Sequence, residues 1–118
     1  MSTTKKYSDP TNRVVCVFDE YADAVTAKTE LIELGFQRRY LHILHGPDAA
    51  KEIDRSAKWF ADTDLELKDF ERELRSGKTV VSVPVDDSKE REQVHIVLKK
   101  RHARHITHFG EWVTEVLR

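Results

Sequence analysis

Arg13-Val14-Val15-Cys16-Val17-Phe18 and Thr79-Val80-Val81-Ser82-Val83-Pro84-Val85 are the two stretches whose reading decides the fold. Both are β-branched runs of the kind that makes a central strand buried on both faces. Pro84 stands near the end of its run, where a missing donor matters least. After the first run, Asp19 can cap a helix whose apolar positions Ala24, Ala27, Leu31 and Leu34 recur at helical spacing. Gly35 supplies the left-handed stop, Phe36 can pack back on Leu31, and Tyr40 to His45 alternates as a second strand closed by Gly46-Pro47. The second run repeats this order: Asp87 or Ser88 as cap, Val94, Val97 and Leu98 facing inward, Lys99-Lys100-Arg101 in the last helical turn, and a strand from Arg104 to Phe109. The two segments read as an internal βαβ duplication. Two interlocked right-handed units of this kind predict an α+β fold, a ferredoxin-like βαβ-(αα insertion)-βαβ sandwich. Its antiparallel sheet has the order 4-1-3-2, with both repeat helices on one face.

Between the halves, residues 48–76 form a helical insertion, with Ala50, Ile53, Ala57 and Phe60 on one stripe and Leu67, Phe70 and Leu74 on another. Thr63 followed by Glu66 has the form of a capping box, which divides the insertion into two helices, and Gly77 ends the second. Residues 1–12 are polar and without period, and read as a flexible arm. Residues 13–118 then form a single domain, the usual allotment for a chain of 118 residues. Residues 111–118 are a short apolar tail whose conformation the pattern does not decide.

Apolar residues make up 39% and charged residues 35% of the chain, enough hydrophobicity to fold without disulfides or metal. A net charge of -1 gives no overall field toward nucleic acid or anionic lipid, so polyanion binding would need a local patch. The single cysteine, Cys16, lies inside an apolar run and reads as a small buried hydrophobe in a reducing compartment. No stretch approaches the roughly 18 apolar residues that cross a bilayer, and the N-terminus lacks an apolar signal core. The expectation is a cytoplasmic protein that does not enter a membrane.

Six histidines stand near the second and fourth strands and the last helix, and invite a metal reading, with His105 and His108 as its candidates. Strand residues three apart point to opposite faces, so neither His42 with His45 nor His105 with His108 can chelate one ion in regular strand. The two strands are opposite edges, about 14 Å apart. No metal or other cofactor is therefore expected. The basic clusters Arg38-Arg39 and Lys99-Lys100-Arg101 fall at opposite ends of the sheet, and the central strands offer Phe18 without a second stacking aromatic, so nucleic acid is not an expected partner. Ser82 lies within a strand and Cys16 is buried, which leaves no activated nucleophile and no catalytic residue to name. The acids Glu66, Asp69, Glu71 and Glu73 interleave with Lys68, Arg72 and Arg75 as on a solvated helix face.

Alternation places Val15, Val17, Leu41, Ile43, Val81, Val83 and Ile106 under the repeat helices. Val14, Cys16, Phe18, Leu44, Val80 and Phe109 fall on the other sheet face. That face is too apolar to meet water. The inserted helices, the tail with Trp112 or a second subunit must cover it. Dimerisation through Phe18, Leu44, Phe109 and Trp112 is the expected solution, by analogy with small domains of this fold.

Val14-Val15-Cys16-Val17-Phe18, then Ala24 and Ala27, Glu30-Leu31 and Leu34-Gly35-Phe36, resemble the opening of bacterial heat-induced or general-stress proteins of small α/β type, and Phe109-Gly110 resembles the end of their second half. The resemblance implies a stress-associated accessory role and carries over no catalytic residue. The expected function is thus a non-enzymatic interaction protein acting as a homo-oligomer. The alternatives are a small-molecule-binding sensory or regulatory module and a His-rich metal-binding protein.

Overall fold

The computed structural model describes residues 12–49, 64–109 and 114–116. Its strands are β1 (Arg13–Phe18), β2 (His42–His45), β3 (Thr79–Pro84), β4 (Arg104–Phe109) and β5 (Thr114–Val116). Its helices are α1 (Tyr21–Glu33), α2 (Asp64–Arg75) and α3 (Ser88–Lys100), with a 3₁₀ turn over Arg38–Tyr40. The sheet runs β2-β3-β1-β4-β5, every neighbouring pair antiparallel. Over its first four strands this is the expected order read from the other edge. β1 and β3 occupy the centre, where their continuous apolar runs can be buried on both faces. The tail adds β5 alongside β4.

Helix ends follow local chemistry in most places. Gly35 takes φ 111°, and Phe36 N–H bonds to Leu31 O at 3.1 Å while both side chains join one core cluster, the expected left-handed stop with its apolar contact. Asp87 caps α3 by accepting from Glu90 N–H at 2.8 Å. The expected cap of α1 is different: Glu20 holds the cap position without a side-chain bond, because the Asp19 carboxylate is drawn to Arg104. The second strand begins at His42 rather than Tyr40, since Arg38–Tyr40 coil into the 3₁₀ turn. Within the insertion, the stripe Ala50, Ile53, Ala57 and Phe60 and the Thr63 cap lie outside the described residues.

Both sheet faces are covered within one chain. On one face α1 and α3 bring Ala24, Ala27, Leu31, Val94, Val97 and Leu98 onto Val14, Cys16, Phe18, Val81, Val83 and Ile106. On the other, Phe70 and Leu74 of α2 pack on Val15, Val17, Leu44, Val80 and Phe109. The expected facing holds for β2, β3 and β4 and is reversed for β1. Phe18 therefore lies under α1 and α3, not beside Leu44 and Phe109. All six residues of β1 are buried, so the strand has no alternation from which to read its facing. The register decides it, placing Cys16 opposite Val81 and Val17 opposite Val80. Phe18 and Phe109 are fully buried and Leu44 is nearly so, so these expected interface residues are core in the single chain. Trp112 lies outside the described residues.

Among the described residues no helix is long and apolar enough to cross a membrane.

Candidate functional site

The polar chemistry of the sheet gathers at its two ends, around Arg104 and Arg13. Arg104 is positioned by an irregularity. Between Val15 and Val17 the β1–β4 register shifts, with Val15 opposite Thr107 and Val17 opposite Arg104, so β4 carries one extra residue. His105 sits in this bulge at φ 54°, a left-handed conformation that non-glycine residues rarely adopt. The bulge sets Arg104 opposite Val17, on the α2 face. There its guanidinium donates to Glu73 at 2.7 and 2.9 Å and to Asp19 at 2.7 Å, with Lys78 Nζ 3.6 Å from Asp19. Hydrogen bonds from Arg104 hold both carboxyls below the usual range, and the carboxylates in turn raise the Arg104 pKa. Two cations and two anions neutralise one another here, which makes the cluster a latch tying α2 to β1 and β4.

That latch predicts a pH dependence. Carboxyls depressed in the folded protein contribute fully above their unfolded values near about 4 and lose that contribution as pH falls through the folded ones. Urea unfolding of the wild type across an acid series should show this decline, and Arg104→Met should flatten it. Equal acid slopes in the two proteins would remove the latch from the account.

The two histidines considered for metal diverge as strand geometry requires. His105 meets Phe70 of α2, ring centroids 4.9 Å apart, with Nε2 3.8 Å from Asp69 Oδ2. His108 meets Arg91 of α3: its Nδ1 accepts from Nη1 at 3.1 Å, so Nε2 carries the proton donated to Asn12 Oδ1 at 2.9 Å. Among the described residues no group of three or more His, Cys, Asp and Glu side chains could hold a metal ion. Cys16 is fully buried, and burial pushes its thiol pKa well above the ordinary range, which suppresses the reactive thiolate.

Arg13 presents the opposite electrostatic situation. It opens β1 and is only 4% exposed, yet it takes part in none of the ion pairs among the described residues. Nε donates to Ser82 Oγ, and Nη2 donates to Tyr40 O at 2.7 Å and Ser82 O at 3.3 Å, all neutral acceptors. Burial lowers its pKa to about 10. His42 stands opposite Ser82 in the β2–β3 register, and its pKa is lowered by burial and then by the charges of Arg13 and Lys28. Sequence reasoning passed over Arg13. Its one signal was a charged residue at the head of a strand otherwise apolar throughout.

Beside this centre runs the outer edge of β2. Gly46 N–H bonds to Lys78 O at 3.0 Å. Hydrogen-bonded pairs alternate in an antiparallel ladder, so His42 and Leu44 bond inward to β3 while the N–H and C=O of Ile43 and His45 point away from the sheet. Among the described residues β2 has no strand on that side. Beside it stands Tyr21 of α1, exposed by 50%, its ring 4.9 Å from that of His45.

Comparison with family models, with characterised proteins and with solved structures finds no match to this chain.

Proposed function

We propose that the protein is a non-enzymatic interaction module of ferredoxin-like type that works as a homodimer through the outer edge of β2. The outward backbone groups of Ile43 and His45 carry this reading. They are two residues apart, so a two-fold axis at Leu44 sets Ile43 of each copy against His45 of the other and lets the two edges exchange hydrogen bonds. Tyr21, half exposed and in ring contact with His45, supplies aromatic surface beside the seam. This replaces the sheet-face dimer, whose apolar face α2 already covers. A non-enzymatic reading is supported by the engagement of the reactive groups with one another: Arg104 with two carboxylates, His108 with Arg91 and Asn12, and the Cys16 thiol deep in the core. The stress-associated accessory role implied by the resemblance of β1 and α1 belongs to the same proposal.

Ile43→Pro tests it, because proline removes an outward N–H and leaves the β2–β3 ladder intact. Sedimentation velocity across a dilution series should show a wild-type dimer. The variant, with unchanged circular dichroism, should be weakened at least about tenfold, or 1.4 kcal/mol. A wild type that stays monomeric at high concentration, or a folded Ile43→Pro that assembles like wild type, overturns the reading.

A further inference from the structure

Two arginines of one sheet form a natural comparison. Arg104, more exposed, is met by two carboxylates; Arg13, 4% exposed, is met by none among the described residues. A buried cation facing only neutral acceptors loses hydration without recovering it from a counter-charge. Its three hydrogen bonds occupy Nε and Nη2, which leaves the two N–H groups of Nη1. None of these bonds uses Nη1, and Nη1 is not sealed from solvent, so it is the end of the guanidinium that reaches water.

His42 lies within range of two positive charges, Arg13 of β1 and Lys28 of α1. The stretch from Arg38 to His45 contains no acid, and the Arg39 guanidinium lies 5.0 Å from the centre of the Tyr40 ring, whose own carbonyl accepts from Arg13. Ser82 fixes the plane of the Arg13 fork through both its hydroxyl and its carbonyl, so the free amine is held in one direction before any ligand arrives.

We propose that Nη1 of Arg13, near His42, is a binding site for the oxyanion of a small molecule, a phosphate or a carboxylate, with Lys28 adding charge from the far side of His42. The guanidinium supplies the directed N–H groups and Lys28 the less directed charge. The anion would neutralise the charge that now opposes protonation of His42, which is faced by Arg13 from β1 and Lys28 from α1, so binding should raise the pH at which His42 titrates. The site does not depend on the dimer and can be read in a monomer.

The test is a titration of the full chain with inorganic phosphate and, separately, acetate, each at ionic strength matched with sodium chloride, followed by ¹H–¹⁵N NMR including the arginine Nε–H region. Saturable shifts centred on Arg13, Ser82 and His42, with the His42 ring titrating at higher pH in the bound form, are expected. The tighter of the two anions identifies the ligand chemistry. Arg13→Met should abolish the response. If that variant does not fold, Lys28→Gln on the helix surface takes its place, and there binding should weaken several-fold. Shifts that do not saturate, that chloride alone reproduces, or that survive unchanged in either folded variant overturn the site.

Discussion

Phe70→Ala is expected to lower the free energy of unfolding by about 3–5 kcal/mol, the usual range for a fully buried phenylalanine. Phe70 is fully buried, and its ring lies 4.9 Å from that of His105 and 6.2 Å from that of Phe109, between centroids. With Leu74 it forms the described cover of Val15, Val17, Leu44 and Val80. A domain of this size holds about 5–15 kcal/mol in all, so the truncation removes a large share of its stability. Urea unfolding should show a lower midpoint at an unchanged slope. A loss below about 1 kcal/mol would mean that α2 does not close this face of the sheet.

This closure is where sequence and structure part most instructively. The duplication was legible because each half repeats the same order, a β-branched run, an acidic turn, an amphipathic helix with a clear stop and a second strand. Antiparallel order followed from connection rules that leave few alternatives. Facing was legible in β2, β3 and β4, and not in β1, where Val14, Val15, Cys16, Val17 and Phe18 are all apolar and all buried. A period of two cannot be read from a strand that has none. Only the cross-strand partners show which of these residues sit under α1 and α3, and a partner is a property of the sheet, not of the strand.

The polar centres were hidden for a related reason. Extrapolating the alternation of β4 from Ile106 puts Arg104 on the face of α1 and α3, but the extra residue at His105 carries it to the face of α2, where Glu73 waits. A bulge of this kind has no reliable signature when the residue in the left-handed conformation is histidine instead of glycine. Arg13 is the converse case. It lacked a motif, because what distinguishes it is a buried cation with no carboxylate partner among the described residues, and that is visible only once β1, β3 and the 3₁₀ turn have been brought together.

Leu44→Glu separates the closed sheet described here from one that closes by dimerisation. Leu44 is 7% exposed and packs with Phe70, Leu74 and Val80. In a sheet-face dimer a glutamate there would sit at the seam, and the expected result would be a folded monomer. Beneath α2 the carboxylate instead enters a cluster of apolar side chains that, among the described residues, contains no cation, and it must be buried unpaired or push the helix away. The expected cost is several kcal/mol, on the order of the whole stability of the domain. Circular dichroism and urea unfolding should therefore show a largely unfolded or severely destabilised chain, with destabilisation growing as pH rises through the carboxylate range because the charged form is the excluded one. Ile43→Pro, one residue away, removes an outward N–H and a half-buried side chain, so it should keep the fold at a modest cost in stability and act chiefly on assembly. A Leu44→Glu protein as stable as wild type would mean that α2 lifts off this face at little cost, and the sheet would then be open to a second copy after all.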